Sequence, residues 1–254
     1  MGARTRLVIF LLACAGLAPA VAALILKMPS FGAHALPYGD LINSSAPRER
    51  HVTNAVSAVN FDYRALDTLG EEFMLLGAVT GVVVLLRGKR GEQLDAPSGR
   101  VEGRLIRPRS DAVSASTRLL APVTALFGLN VALHGMTTPG GGFQGGVIIA
   151  SAVLMVFLGE GYRNWRKLAP SLLFDATEGA GATLYALCGF ASILAGLPFL
   201  GNFLPLGTLR DFLSGGLMLV ENAGVTLAVA GGFTILFGEF LEETRAESQS
   251  DPSS

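Results

Sequence analysis

Charge, cysteine and histidine are all scarce in this sequence, and each shortage excludes a class of protein. Charged residues make up 15% of the 254 residues, against about 25% in soluble domains, which argues against a soluble globular fold. The formal net charge of −1 gives no electrostatic reason to expect a nucleic-acid partner. The two cysteines and three histidines have no metal-binding spacing, so we expect neither a metal site nor another cofactor.

Motifs for covalent chemistry are also missing. No nucleophile is paired with a base, and the glycines at 140–146 lack the lysine of a phosphate-binding loop. We therefore do not expect a stand-alone enzyme. The two cysteines, Cys14 and Cys188, fall inside apolar sequence, and we expect two buried thiols with no disulfide between them.

Long apolar runs take the place of charge in this chain. Half of the residues are hydrophobic and the mean hydropathy is +0.50. A transmembrane helix needs about 20 apolar residues. We predict an all-α integral membrane protein of the cell membrane with about six transmembrane helices, the third of them extending to Met136. The six runs are Leu7–Leu26, Leu69–Leu86, Leu119–Leu133, Phe143–Gly161, Gly179–Phe199 and Leu213–Phe237.

Lysine and arginine are distributed unevenly between the loops, and this predicts the orientation. Of 19 basic residues, 14 lie before the first run, in the second or fourth of the five connecting loops, or after the sixth run. Because cytoplasmic loops are enriched in basic residues, both termini are predicted to be cytoplasmic. The Ala-Pro-Ala at 18–20 could mark a cleaved signal peptide, but the run stays apolar to Leu26, so we expect an uncleaved helix.

Composition divides the chain into two membrane modules. Residues 88–117 are polar and basic and predict a cytoplasmic linker between a two-helix module at 1–87 and a four-helix domain at 118–243. The polar tail 244–254 is expected to be disordered. Between the first two runs, His51–Val59 has apolar residues at helical spacing, which predicts a short amphipathic helix on the membrane surface.

A glycine-rich break separates the third and fourth runs. Residues 134–146 read His-Gly-Met-Thr-Thr-Pro-Gly-Gly-Gly-Phe-Gln-Gly-Gly. Proline lacks the N–H that a helix needs, and consecutive glycines lose backbone entropy, so the helix is expected to stop here. Such a break is tolerated only at the interface, or where it is packed in protein or lines a wet cavity. The residues assigned to this structural hairpin are Pro139, Gly140, Gly141, Gly142, Phe143, Gly145 and Gly146.

This string resembles the hairpin of the MnhB/MrpB-type subunit of multisubunit Na⁺/H⁺ antiporters, and related membrane-bound hydrogenases carry a similar subunit. Many such relatives have a second histidine where Met136 stands here. A second string, Asp-Tyr-Arg-Ala-Leu-Asp-Thr-Leu-Gly-Glu at 62–71, resembles the C-terminal part of the large antiporter subunit MrpA, which membrane-bound hydrogenases carry as a small separate subunit. The chain thus resembles a fusion of the two, over roughly residues 50–87 and 118–243.

The resemblance implies an accessory membrane subunit of a monovalent cation/proton antiporter. Its partners would be large antiporter-like subunits and small subunits, its ions Na⁺ and H⁺, and its surroundings the lipid bilayer. The three lysines, Lys27, Lys89 and Lys167, lie at the ends of runs or in loops, so the chain lacks the lysine on which the large subunits depend and is not expected to work alone. The alternatives are the equivalent subunit of a hydrogenase-like respiratory complex and a purely structural scaffold.

Four ionisable residues near membrane depth are candidates for an ion path: Glu71, His134, Glu178 and Glu221. Burying a charge in the bilayer costs at least about 2.5–3.5 kcal/mol, so such residues have a role or a partner. Glu71 matches the family string. Glu221 lies about eight residues into the sixth run, roughly 12 Å from its end, and should therefore face protein, water or a partner subunit.

The other candidates each have a purely structural interpretation as well. Glu71 and Glu72 could be favourable charges at a helix N-terminus capped by Thr68, and Glu178 could cap the fifth helix. His134 could simply bond a loop carbonyl at the membrane interface.

Three charged residues precede Glu71 and could form one ion-pair cluster facing outward: Asp62, Arg64 and Asp67. Exposed ion pairs contribute little stability. The expected role of the cluster is to gather cations near an entrance or to hold the surface segment in place.

Overall fold

The computed structural model describes residues 3–28, 37–90 and 110–247, which fold as helices joined by turns. The chain divides into two compact units, residues 1–40 and 41–254. In the first unit, helix α1 (Ala3–Leu26) is apolar and carries Pro19 in its interior. Cys14 lies on α1 and is exposed, so its predicted burial is wrong, whereas Cys188 is buried and both thiols are free.

The second unit is a bundle built around one helix. Its helices are α2 (Pro37–Glu49), which begins before the unit does, α3 (Ala55–Ala58), α4 (Ala65–Arg90), α5 (Asp111–Leu133), α6 (Gly142–Glu160), α7 (Tyr162–Leu168), α8 (Ser171–Leu194) and α9 (Leu217–Glu247). Helix α9 packs against α8, α6 and α4, and α5 pairs with α6. The apolar segment of α9 is 61% buried, against 11% for α4 and α5. The core of the bundle therefore follows α9.

Among the described residues, five helices are long and apolar enough to cross a membrane: α1, α4, α5, α6 and α9. The chain is therefore a multi-pass membrane protein, as predicted. Helix α8 has 24 residues, but it is less apolar because Asp175, Thr177 and Glu178 lie in its first half. A sixth membrane span remains a prediction, and so does the orientation of the termini.

Several helix ends differ from the predicted ones. Helix α5 begins inside the predicted linker, where the Ser110 hydroxyl caps it by accepting from Val113 N at 3.3 Å. It ends at Leu133 and does not reach Met136. Helix α9 runs on to Glu247, into the predicted polar tail. Polar sequence is compatible with a helix that extends an apolar one, and this is why composition misplaced both ends. Helix α4 also runs into the start of the predicted linker, to Arg90. Residues 91–109 and 248–254 lie outside the described residues.

The predicted amphipathic helix at His51–Val59 is wrong in extent and in position. Only Ala55–Ala58 is α-helical, and a π-helical turn, Val59–Tyr63, follows. Val52 and Ala58 are fully buried and belong to the same apolar core as Met136 and Tyr185. Val52 and Ala58 therefore pack on protein, whereas Val56 is 58% exposed.

Candidate functional site

The glycine-rich break is a tight turn between α5 and α6. His134 is the C-cap residue that follows α5, and its backbone N–H donates to Asn130 O at 3.0 Å. Gly140 and Gly141 have φ angles of 127° and 143°, which residues other than glycine rarely adopt. Helix α6 begins at Gly142. Of the residues assigned to the hairpin, Gly142, Phe143, Gly145 and Gly146 are therefore helical, and the turn itself is 134–141.

The glycines of the first turns of α6 serve close helix packing. A Cβ at Gly142 would lie 2.4 Å from Asn222 O, and one at Gly146 would lie 2.8 Å from Val229 Cβ, both on α9. A Cβ at Gly145 would lie 2.6 Å from Ala132 Cβ on α5. Helix α6 is thus held against two neighbours at backbone distance.

Asn222 on α9 satisfies backbone groups on both sides of the turn. Its Oδ1 accepts from Gly142 N at 2.6 Å, and its Nδ2 donates to Ala132 O at 2.8 Å. Asn222 is 3% exposed. The chain interruption would otherwise leave Gly142 N unpaired, whereas Ala132 O also accepts from Gly135 N at 3.2 Å. One amide side chain thus helps to make the break tolerable.

Residues 53–57 hold the turn from the other side. Asn54 Nδ2 donates to Gly135 O at 2.7 Å, Thr138 O at 2.9 Å and Gly140 O at 3.1 Å. Ser57 Oγ donates to Gly135 O at 2.6 Å. We call the end of the bundle that carries this contact the turn side. Residues 53–57 and the turn of the MnhB-like region thus share one hydrogen-bonded unit there, and both belong to the second compact unit.

Three of the buried carboxyl groups belong to Glu72 on α4, Glu178 on α8 and Glu221 on α9, with exposed fractions of 3%, 5% and 0%. Glu72 interacts electrostatically with Glu178. Among the described residues, Glu72 Oε2, Glu178 Oε1 and both oxygens of Glu221 have no hydrogen-bond partner. A buried polar atom without a partner is rare in native proteins and calls for an explanation.

Tyr185 on α8 lies between these carboxyl groups. Its side chain is fully buried, and its hydroxyl donates to Ala65 O at 2.9 Å. Tyr185 interacts electrostatically with both Glu221 and Glu72. A tyrosine hydroxyl donates and accepts hydrogen bonds, so Tyr185 has the chemistry needed to link two carboxyl groups.

Glu72 was missed at the sequence level in favour of Glu71. Glu71 is exposed, while Glu72 faces the bundle. The buried positions of α4 include Ala65, Thr68, Glu72 and Val79, a spacing of three, four and seven residues that marks one helical face. That spacing was the available signal, and it excludes Glu71 from the buried face.

Two predicted capping roles are wrong. Helix α4 begins at Ala65, so Thr68 lies inside the helix and does not cap it. Helix α8 begins at Ser171, so Glu178 lies about two turns in and is buried there. His134 is half-buried at the end of α5, where its Nδ1 lies 3.0 Å from Asn130 O and its ring meets Phe212 edge-on at 5.5 Å.

Comparisons with known proteins decide the family. The chain is 30% identical over 199 residues to an uncharacterized protein of Methanocaldococcus jannaschii, covering 72% of this chain and 75% of that protein. Residues 112–235 match the sequence profile of the family described as a domain related to the MnhB subunit of Na⁺/H⁺ antiporter. The chain belongs to the MnhB family.

Relatives that carry a functional name align with this chain over only part of their own length. An Na⁺/H⁺ antiporter subunit of Bacillus subtilis is 35% identical over 88 residues, which cover 35% of this chain and 61% of that protein. The chain therefore spans less than two thirds of this relative. The matched family is one of transporter subunits.

Two solved membrane complexes share the fold. A chain of the membrane-bound sulfane sulfur reductase, an archaeal respiratory membrane complex, aligns with a TM-score of 0.68 at 28% identity, covering 93% of this chain and 98% of that one. A chain of the Mrp complex from Dietzia aligns with a TM-score of 0.68 at 23% identity, covering 100% of this chain and 27% of that one. At this identity, the second likeness concerns the fold alone.

Asp62, Arg64 and Asp67 were predicted to form one ion-pair cluster. In the structure they belong to two separate ion pairs. Arg50 Nε lies 2.6 Å from Asp62 Oδ1, and Arg64 pairs with Asp67 one helical turn away. Burial acts to lower the pKa of Arg50, but the hydrogen bond and charge of Asp62 outweigh it and raise that pKa above its usual value. Asp62 therefore forms its ion pair with Arg50 at the turn side.

A small cavity lies at the opposite end of the MnhB domain. It has a volume of about 20 Å³ and is lined by residues that include Trp165, Phe174, Thr234 and Glu239, which leaves room for about one water molecule. Glu239 is 4% exposed. Across the described residues, no three His, Cys, Asp or Glu side chains are grouped so that they could hold a metal ion.

Proposed function

We propose that this chain is an accessory membrane subunit of a multisubunit monovalent cation/proton antiporter, and that it catalyses no covalent chemistry. The observation that carries the proposal is the turn of the MnhB domain, held by Asn222 from within the domain and by Asn54 from the preceding module. This arrangement joins the two modules that the sequence strings resemble. The matched family and the similarity to an Na⁺/H⁺ antiporter subunit support the same assignment.

The proposed task is to form subunit contacts and part of an ion entrance. Glu71 is exposed on α4 beside the buried Glu72. Because an exposed acid on a membrane helix is costly against lipid, Glu71 is expected to face another subunit of the complex. His134, Glu178 and Glu221 remain candidates for the ion path, with Na⁺ and H⁺ as its ions.

A second candidate function is the equivalent ion-translocating subunit of a respiratory membrane complex. The observation that favours it is the alignment with the sulfane sulfur reductase chain, which covers nearly the whole of both chains. The energy source would then be a redox reaction in partner subunits, and the membrane helices would have the same arrangement.

The test is sodium- and pH-dependent antiport by the whole complex in inverted vesicles, comparing wild type with Glu71→Gln. Assembly is checked on a native gel. Loss of antiport with intact assembly places Glu71 in the ion path. Unchanged antiport contradicts that role and favours a scaffold. Ion movement by wild type only when an electron donor is supplied favours the respiratory complex.

A further inference from the structure

We propose that Glu221, Tyr185, Glu72 and Glu178 form a proton relay through the interior of this chain, crossing from the MnhB domain to α4 and back. The inference deepens the proposed function and rests on it. The proton would move through the interior of this chain. Two members of the path, Tyr185 and Glu72, were not predicted from the sequence.

Helix contacts fix the order of the groups along the bundle. Helices α8 and α9 run antiparallel: a Cβ at Gly181 would lie 2.4 Å from both Gly224 O and Ala228 N. Towards the turn side of this contact, Glu221 interacts with Tyr185. On the other side, Glu178 Oε1 would lie 2.9 Å from a Cβ placed at Gly232. The relay therefore advances along α9 from Glu221 to the level of Gly232, about 16 Å at about 1.5 Å per residue.

Helix α4 supplies the middle of the relay. The Tyr185 hydroxyl reaches Ala65 O in the first turn of α4, and Val79, two turns beyond Glu72, lies beside Gly232 and Glu178. Glu72 therefore stands at a height between Tyr185 and Glu178, and it interacts electrostatically with both.

The burial of these groups favours proton transfer over a structural role. Oxygens of the three carboxyl groups are buried without a hydrogen-bond partner among the described residues, whereas a fixed buried carboxylate would be paired and an ordinary core position would be apolar. In the step through Tyr185, the carboxylic acid of Glu221 gives its proton to the tyrosine oxygen while the tyrosine gives its own proton to the carboxylate of Glu72. In the last step, the protonated Glu72 gives its proton to the carboxylate of Glu178. Such steps run across a hydrogen bond or one bridging water and leave the tyrosine neutral.

Other titratable groups lie near enough to interact electrostatically with the relay. Asp62 and Cys188 interact with Glu221, Glu71 with Glu72, and Asp175 with Glu178. Asp62 offers an acid at the turn side, where it meets Arg50. At the opposite end, the small cavity is lined by Phe174, Thr234 and Glu239. Phe174 lies one helical turn from Glu178 on α8, and Thr234 lies one turn from Gly231 on α9.

The first test measures proton flux by the whole complex in inverted vesicles for Glu221→Gln and Tyr185→Phe. Each variant removes one carrier of the proton with little change in volume, so the flux is expected to fall about ten-fold or more. Glu221→Asp keeps the acid and should restore part of the flux. Asp211→Asn, which changes an exposed acid at the turn side, is the matched control and should leave the flux unchanged.

A second measurement separates failure of the relay from failure of the proposed function. The infrared carbonyl-stretch band of a protonated carboxylic acid is recorded for the purified complex, and Glu221→Gln is expected to remove part of it. Passive proton uptake into liposomes holding the complex is measured in parallel, without any cation gradient. If wild type shows no antiport, the proposed function fails, and these two readouts still test the relay. Unchanged flux and an unchanged band in assembled Glu221→Gln and Tyr185→Phe would overturn it.

Discussion

The side-chain amide of Asn54 donates a hydrogen bond to the carbonyl of Gly135 at 2.7 Å. Through this bond, a residue of the N-terminal module satisfies the backbone of the MnhB turn, and the same amide reaches Thr138 O and Gly140 O. A turn at membrane depth must have its carbonyls paired within protein. The two modules therefore complete one structure, which explains why their juxtaposition in one chain is stable.

Replacing Asn54 tests this dependence. Asn54→Ala removes a donor from Thr138 O, Gly140 O and Gly135 O, of which Gly135 O keeps Ser57 Oγ, and an unsatisfied buried group costs about 1–3 kcal/mol. We expect the variant to lower the thermal unfolding midpoint of the complex and to reduce its yield. Asn164→Ala is the matched control, because Asn164 is exposed and donates to a side chain, Glu160. Equal midpoints for the two variants would contradict the role of Asn54.

Gly142 tests the close contact between α6 and α9. A methyl group there would lie 2.4 Å from Asn222 O, so Gly142→Ala forces the helices apart. We expect a loss of about 1–3 kcal/mol or more, as for other overpacked sites. Gly77→Ala on α4 is the control: its Cβ would meet nothing within 4 Å, and alanine is the better helix former by about 1 kcal/mol. Thermal unfolding in detergent gives the stability of both variants. An unchanged unfolding midpoint for Gly142→Ala would show that the helices can move apart freely.

Asn222 and Asn54 should be coupled, because they hold opposite sides of the same turn. Asn222→Ala unpairs Gly142 N and removes one donor from Ala132 O, which keeps Gly135 N, and it is expected to cost about 1–3 kcal/mol for the buried Gly142 N–H. Once either asparagine is lost, the turn is already loosened, so the double variant should lose less than the sum of the two single losses. A double-mutant cycle on unfolding free energies measures this, and strict additivity would argue against a shared turn.

Much of the fold follows from sequence pattern alone. Apolar runs located the helices that span the membrane, and Pro139 with the glycines at 140 and 141 located the turn. These features are predictable because backbone chemistry is local: proline and glycine act on the helix where they stand. The helix ends at Asp111 and Glu247 were not predictable from composition, because a polar residue can extend an apolar helix.

The partner of an apolar face is harder to predict than the face itself. The spacing in His51–Val59 is equally compatible with lipid and with protein, and only the tertiary structure shows that Val52 is buried against the domain. Whether Glu71 or Glu72 is buried depends on which face of α4 points into the bundle. Thr68 and Val79 are buried and mark that face. Tyr185 has no sequence signal, because its role depends on contacts between three helices.

Tyr63 gives a last prediction, at the junction of the two modules. Burial and a hydrogen bond donated to Glu49 at 3.1 Å raise the pKa of Tyr63 above its ordinary value of 10.0. A group whose folded pKa is raised contributes stability below its unfolded pKa and loses it as the pH rises through the folded one. The contribution of Tyr63 should therefore be complete at neutral pH and disappear above about pH 10. Ultraviolet titration of tyrosinate in wild type and Tyr63→Phe checks this: the variant should lack one late-titrating tyrosine, and loss of a tyrosine that titrates at an ordinary pH would contradict the contact with Glu49.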